Sequence, residues 1–590
     1  MTDTRPDKPD TQDRLLEAVA HCERNPGNPD HWLALGELLY SNRLLQQAHD
    51  VYLDALKLHP GDARLHVGLG NVFDAGDEKQ SAATCYRNAL ARDPASVAAL
   101  YNLGVISHSR RDFTGAIRFF QEALRVDPGY AACYTPLIHM LRQCCRWDEA
   151  GALVRRYREH VAAGMASDIS PFSIITLPDS TASEQRHVAE AYTDRLLKDV
   201  EPLPPAGKAR LPSAGKIRLG FLSADFFNHA TSILAVRLLE LLDTRSFELF
   251  AYSSGPDDGS VLRRRVVNAF CVFREVATMS DEAVARRIRE DGIDVLIDMK
   301  GFTQDSRSRV LAYRPAAVQV SYLGYPATMD RRLVDYLIAD DIVIPPGDES
   351  NYAETIVRLP FCYQPNDNQR QVPVAEDRRA RRQRAGFADD AIVLGVFQQN
   401  YKLHPALLSC WADILRAVPA AVLWCLHSNG DAKKAMEAFF TGKGISAQRL
   451  CWGEKVGQQD HLDRLTLVDL ALDSWPVNGH TSTADALWAG TPVLTLAGDT
   501  FVSRVAGSLL HAAGLPDFVT HTREEYTARG IELCLAPERL SAAREHLYGA
   551  RLRLPLFDSE RYARDFGQLI KALVTAHRSP EPALTSPTGS

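Results

Sequence analysis

The stretch Asn478-Gly-His-Thr-Ser-Thr-Ala-Asp-Ala-Leu-Trp-Ala-Gly-Thr-Pro492 lies between two apolar runs, Leu470 to Trp475 and Pro492-Val-Leu-Thr-Leu496. It reads as strand, turn, helix and strand in succession. Gly479 permits a tight turn, Thr481, Ser482 and Thr483 offer caps, and Ala484 to Ala489 reads as a short helix closed by Gly490, with Pro492 beyond. Such units build parallel sheets covered by helices. The turn also has a chemical reading: a helix start rich in small hydroxyl residues presents N–H groups and a positive dipole end to an anion. Asp485, one turn in, would lie just beyond a phosphate, where a ribose hydroxyl could bind. On this segment alone, a nucleotide-phosphate site and an ordinary capped helix with a surface His480 stand as equal readings.

Working outward, the same alternation runs through most of the chain. From Lys216, apolar runs at Ile217–Leu222, Phe247–Tyr252, Ile293–Ile297, Val318–Leu323 and Tyr336–Ile338 alternate with amphipathic stretches. The series restarts at Ile392–Val396, Ala421–Leu426, Leu450–Trp452, Leu470–Leu472 and Val493–Leu496. The polar stretch Gln364–Arg384 separates them. The pattern predicts two Rossmann-like α/β lobes facing a cleft, at 216–385 and 386–577, with a bracing helix over Ser559 to His577. Sites in doubly wound sheets lie beyond the carboxyl ends of the strands. There the chain places Ser223 to Ser232, Asp298 to Thr303, Gly324 to Thr328, Val396 to Lys402 and the opening stretch. No G-x-G-x-x-G or Walker pattern follows the first strand of either lobe, and no D-x-D pair occurs. A metal held by closely spaced carboxylates is therefore not expected. The helix start at 481–483 and Lys402 remain as groups able to neutralise a leaving diphosphate.

The front of the chain follows another period. Pro26, Pro60, Pro94 and Pro128 recur every 34 residues, as do Leu35, Leu69, Leu103 and Leu137, and Tyr52, Tyr86 and Phe120. Gly36, Gly70 and Gly104, with Ala48, Ala82 and Ala116, keep the same step. Small residues where paired helices approach, an aromatic filling the gap to the next unit, and a proline ending the second helix make a tetratricopeptide array. We expect an all-α solenoid over 14–160, a transition and linker over 161–215, and a Pro/Ser/Thr-rich disordered tail over 578–590. Within the transition, Pro171-Phe172 and Leu177 to Asp179 read as loop, Ser183 to Lys198 as helix, and Pro202 to Lys208 as linker. The array binds protein or extended peptide in its concave face, or serves as a structural arm. It carries no cluster of titratable residues.

Composition limits the alternatives. A net charge of −7 supplies no footprint for nucleic acid. Eleven cysteines, an odd number without a C-x-x-C pair, argue against a secreted disulfide framework or a zinc site and for a reducing cytoplasm. The polar N-terminus is not expected to be a signal peptide, and no apolar run approaches membrane-spanning length.

The tetratricopeptide pattern joined to Gly220-Phe-Leu-Ser-Ala-Asp-Phe-Phe-Asn-His229, Leu323-Gly-Tyr-Pro-Ala-Thr328, Phe397-Gln-Gln-Asn-Tyr-Lys402, Asn478-Gly-His-Thr-Ser482 and Leu487-Trp-Ala-Gly-Thr-Pro492 closely resembles the O-linked N-acetylglucosamine transferases and plant SPINDLY proteins, glycosyltransferase family 41. The resemblance covers roughly residues 28–577, and the chain looks like a compact bacterial member. It implies a GT-B fold and inverting transfer of a sugar from a nucleotide donor, without metal or other cofactor, to protein Ser or Thr. It also implies that Lys402 contacts the diphosphate and Gln399 lies near the donor. His480, Thr481 and Ser482 would line the phosphate and sugar site, and Asp485 would hold the ribose. His461 would stack on uracil, whose edge the backbone near Val456 would read. His229 stands where a general base has been proposed. The chain departs from the family in three ways: the animal enzymes' insertion between the lobes is absent, Gln458 replaces a lysine near the uracil, and the inner-groove asparagine ladder survives only as Asn102.

Read chemically, an imidazole titrating near pH 6.5 suits His229 to take a hydroxyl proton, while contact with sugar or phosphate is the other reading. Asp225 orients His229 or caps the following helix. Lys300 reads as a surface charge, Asp298 as an acceptor-side group or a turn cap, and Trp488 as core. The expected function is protein O-glycosylation from UDP-N-acetylglucosamine. GDP-fucose or UDP-glucose as donor, or a catalytically weak adaptor, are the alternatives.

Overall fold

The computed structural model describes residues 11–165, 169–204, 215–372 and 377–578. Part of the expected linker, 205–208, and the tail from 579 lie outside them. Contacts divide the chain into two compact units: the repeat array through Leu141 with 150–158, and principally 142–149 with everything from 159 onward.

In the first unit, Thr11–Arg24 precedes three helix pairs: Pro29–Ser41 with Leu45–Leu58, Ala63–Ala75 with Lys79–Arg92, and Val97–Ser109 with Phe113–Val126. The expected small-to-large fit sets the pairing. Tyr52 is 2% exposed and fills the space over two glycines; a Cβ on either Gly36 or Gly68 would lie 2.4 Å from its ring. Tyr86 and Phe120 fill the same place over Gly70 and Gly104. The turn inside each pair puts Arg43, Asp77 and Arg111 in left-handed backbone with φ near 60°. Asn102 does not stand free in the groove: its amide donates to Asn71 Oδ1 at 2.9 Å, which also accepts the Tyr86 hydroxyl at 2.8 Å.

The second unit holds two parallel sheets. The first orders its strands β3-β2-β1-β4-β5-β6-β7, where β1 is Ile217–Ser223, β2 Phe247–Ser253, β3 Val272–Glu275, β4 Val295–Asp298, β5 Val318–Ser321, β6 Tyr336–Ala339 and β7 Thr355–Arg358. The second runs β10-β9-β8-β11-β12-β13, with β8 at Ile392–Val396, β9 Ala421–Leu426, β10 Leu450–Gly453, β11 Leu470–Leu472, β12 Val493–Leu496 and β13 Val519–Thr520. Strand order reverses between β1 and β4 and again between β8 and β11, so each lobe opens a crevice at the carboxyl ends of those strands. The strands missing from the sequence reading, β3, β7 and β13, each lie at a sheet edge. Pro171-Phe172 opens a short helix, Pro171–Ile175, rather than a loop. Among the described residues, no helix is long and apolar enough to cross a membrane.

The chain passes between the lobes twice. It leaves the first lobe after β7, and the helix Ser559–Arg578 returns to pack against Ala230–Leu241 and β5. The two crossings are bonded to each other: Asn366 Nδ2 donates to the Leu556 carbonyl at 3.1 Å, and Ser559 Oγ donates to the Asn366 carbonyl at 2.7 Å. Beside them, buried Asp340 at the end of β6 accepts from the Tyr363 N–H at 2.7 Å and from Ser508 Oγ of the second lobe at 2.6 Å.

Candidate functional site

The second lobe's crevice is built by the loops after β8 and β11. The β8 strand ends at Val396, and the chain turns through a 3₁₀ segment, Asn400–Lys402, that brings Lys402 inward. Its ammonium donates to the Asn478 carbonyl at 2.8 Å. Burial lowers the Lys402 pKa to about 8, against the pull of nearby Asp473. Asp473 is itself buried; it accepts from Thr495 Oγ1 and the Gly479 N–H, both at 2.7 Å, and desolvation raises its pKa to about 6.

The helix that follows spans Thr481–Trp488, so it starts three residues before the Ala484 expected from sequence. Thr481, Ser482 and Thr483 thus form its first turn rather than its caps. His480 is the N-cap residue but makes no side-chain capping bond, which leaves the first-turn N–H groups uncapped by a side chain. His480 Nε2 is buried without a hydrogen-bond partner among the described residues, and burial next to Lys402 depresses its pKa to about 3, so the ring is neutral. A half-buried ammonium, a neutral imidazole and an open helix N-terminus converge there. That combination accommodates an anion.

A narrow cavity continues from this point, walled by Phe397, Gln398, His461, Asp473, Ser482 and Thr483. His461 lies edge-on to Phe397, with centroids 5.5 Å apart at 88°, and its Nδ1 accepts from Arg464 Nε at 2.9 Å. That bond leaves the ring proton on Nε2, and burial with the neighbouring arginine lowers the pKa to about 4. Gln398 donates to the Leu472 carbonyl at 2.6 Å, while its Oε1 is buried without a partner among the described residues. Gln399 stands exposed at the start of the 3₁₀ segment, and Val456 is 41% exposed in the loop after β10. Neither of these two expected residues lines the cavity. Asp485 is 6% exposed, and its Oδ1 accepts from Arg370 Nη1 at 2.5 Å. This arginine, from the stretch between the lobes, was not among the residues singled out by the sequence. Trp488 is fully buried core.

The first lobe's crevice carries His229 as N-cap of the helix Ala230–Leu241. Its Nδ1 has two neighbours: the Thr231 N–H, which donates to it at 3.3 Å, and Asp225 Oδ2 at 3.4 Å. Asp225 is buried and also receives Thr231 Oγ1 at 3.1 Å and Lys300 Nζ at 2.8 Å. Lys300 is therefore no surface charge. It is 7% exposed, because Asp225 compensates its burial. Asp298 caps the turn carrying that lysine, accepting from the Lys300 and Gly301 N–H groups at 3.3 and 2.7 Å. Desolvation lowers the His229 pKa; Asp225 opposes this and Lys300 adds to it.

A cavity of about 230 Å³ joins the lobes, bounded by Ile233, one turn after His229, and by Gln458 and Gln459 at the start of the helix that carries His461.

In comparison with known proteins, the family model described as Glycosyl transferase family 41 matches residues 201–380 and 371–566, and a tetratricopeptide repeat model matches 13–63, 33–82 and 67–131. An Arabidopsis thaliana protein named probable UDP-N-acetylglucosamine–peptide N-acetylglucosaminyltransferase SEC is 30% identical over 443 residues, which are 73% of this chain and 45% of the relative. A Caenorhabditis elegans UDP-N-acetylglucosamine–peptide N-acetylglucosaminyltransferase is 25% identical over 490 residues, 65% of this chain and 43% of the relative. The chain thus spans less than half the length of these curated relatives. The solved structure of a mutant of Thermobaculum terrenum O-GlcNAc transferase matches with a TM-score of 0.67 over 97% of this chain and 99% of that one, at 23% identity. The solenoid followed by two parallel-sheet lobes is therefore a shared architecture, the GT-B arrangement.

Proposed function

The chain belongs to glycosyl transferase family 41, and from that premise we propose that it transfers N-acetylglucosamine from UDP-N-acetylglucosamine to Ser or Thr hydroxyls of proteins. The observation that carries the reading is the cradle at the second switch point: Lys402, held at 2.8 Å on the Asn478 carbonyl, beside the uncapped start of Thr481–Trp488. Transfer breaks the bond between the anomeric carbon and the diphosphate, and the electron pair leaves with the diphosphate oxygen. A fixed ammonium and helix N–H groups stabilise the charge that develops there. The names of the Arabidopsis and Caenorhabditis relatives supply the donor and the peptide acceptor in this reading.

The acceptor hydroxyl loses its proton as its oxygen bonds to the anomeric carbon on the face opposite the leaving group. In our reading, His229 Nε2 takes it. With Nδ1 accepting from the Thr231 N–H, the ring proton sits on Nε2 and the residue donates. The base form requires Nδ1–H to turn to Asp225 Oδ2, 3.4 Å away, and Lys300 holds that carboxylate in place.

Calorimetric titration with UDP, GDP and their sugars tests the donor. UDP and UDP-N-acetylglucosamine are expected to bind, and Lys402→Ala to weaken both by about 10- to 100-fold. Selective binding of GDP instead would replace the donor with GDP-fucose, and binding of neither would leave an adaptor.

A further inference from the structure

Lys402 and Asp473 are opposite charges joined through a single amide. The Lys402 ammonium donates to the Asn478 carbonyl at 2.8 Å, and the N–H of the same peptide unit, that of Gly479, donates to Asp473 Oδ1 at 2.7 Å. The amide dipole thus turns its oxygen to the cation and its hydrogen to the anion, and each bond polarises the group that makes the other. Glycine at 479 allows this approach. A Cβ there would lie 2.5 Å from Thr483 Oγ1, 2.6 Å from Ser482 Oγ and 3.1 Å from Asp473 Oδ1.

Asp473 does not itself hold an anion. It is 1% exposed, its Oδ2 accepts from Thr495 Oγ1 at 2.7 Å, and its charge repels a phosphate. Its effect falls on the lysine. A lysine buried without a counter-charge titrates at about 5–6 and is neutral at physiological pH. Lys402, with the carboxylate behind it, stands at about 8. Among the described residues, the other titratable groups packed around the pair are neutral across this range. His480, His404 and His461 are lowered by burial to about 3, about 4 and about 4, Tyr401 is raised to about 12, and Tyr526, whose hydroxyl donates to the Asp473 carbonyl at 3.0 Å, is raised well above its ordinary value. The carboxylate is thus the charge that acts on the ammonium.

We propose that Asp473 is a positioning residue for the transfer reaction: acting through the Asn478–Gly479 amide, it keeps Lys402 charged and fixed at the cradle before the donor arrives. The proposal rests on the reading of that cradle as a diphosphate site. It gives a carboxylate that never touches the donor control over the group that meets the leaving-group charge.

The test is calorimetry on the full chain as a function of pH, with whichever of UDP-N-acetylglucosamine and GDP-fucose binds; neither diphosphate has a terminal oxygen to titrate. In the unmutated protein, affinity is expected to fall with a midpoint at about 8, as Lys402 loses its proton. Asp473→Asn keeps an acceptor for the Gly479 N–H and removes the charge. Its midpoint is expected about one unit or more lower, the size of the effect of an opposite charge at close range. Below about pH 6 the unmutated protein's own Asp473 is protonated, so there the two proteins should agree within about threefold. A midpoint below neutrality in the unmutated protein overturns the proposal without any variant, and that measurement decides if Asp473→Asn does not fold. Asp473→Asn that melts earlier yet keeps its midpoint, the outcome for a purely structural carboxylate, overturns it too. If neither sugar nucleotide binds, the cradle reading falls as well. Binding with an unmoved midpoint removes Asp473 alone.

Discussion

Lys402 carries the sharpest prediction at the scale of single residues. Burial lowers its pKa to about 8, so the free protein loses this positive charge as pH rises through that value. A diphosphate favours the charged form, so donor affinity should be full below about 8 and fall above it. Lys402→Arg, always protonated, should flatten the dependence in calorimetry across that range. His229 titrates in the opposite sense for function, because a base must be unprotonated. Its lowered pKa places the acid limb of kcat below the ordinary imidazole value of about 6.5, with activity lost as pH falls through it. His229→Ala should reduce kcat by about 10²- to 10⁴-fold with donor affinity retained. Near-normal turnover would take the base role away and leave the Nε2–H donor that the Thr231 contact favours. Since leaving-group charge is assigned to Lys402 and a helix terminus, transfer assayed in excess chelator should proceed at an unchanged rate.

At the scale of elements, the solenoid's fit is the feature most exposed to mutation. Tyr52 fills the space over both Gly36 and Gly68, where an added Cβ would meet its ring at 2.4 Å. Gly36→Ala or Gly68→Ala should lower stability by about 1–3 kcal/mol, read as a shift in urea midpoint, despite alanine's better helix propensity. These contacts were legible in the sequence because they repeat: the 34-residue step of Pro26, Tyr52 and Gly36 is local and periodic. The central strands were legible for a related reason. Strands buried on both faces, such as Leu470–Leu472, are uninterrupted apolar runs. The edges were not: Val272–Glu275 and Thr355–Arg358 are short, partly exposed, and end in charged residues. The site divides along the same line. Lys402 and His480 to Ser482 sit in compact motifs, whereas Arg370 meets Asp485 across 115 positions and Lys300 meets Asp225 across 75. Pattern and period carry no information about such pairings, so an isolated lysine reads as surface and an arginine in a polar stretch reads as linker.

At the scale of the molecule, the closing helix Ser559–Arg578 belongs structurally to the lobe it returns to. Phe566, Ile570, Leu573 and Val574 are at most 2% exposed, and Tyr562 joins the Tyr322 hydroxyl at 2.6 Å. Removing residues from Ser559 onward deletes these four buried apolar side chains, each worth about 1.5–3 kcal/mol, and uncovers the core they pack on. The shortened chain should therefore lose its cooperative thermal transition rather than merely its activity. The bonded pair of crossings has a mechanical consequence too. Asn366 ties to Leu556 and Ser559 only three residues from Tyr363, which shares the Asp340 carboxylate with Ser508. With both threads knotted at neighbouring points, the lobes are joined as by a strap hinge, so sliding costs several bonds and swinging costs few. Arg370 follows that knot by four residues. The segment that would act as the hinge's pin is also the one whose side chain reaches Asp485.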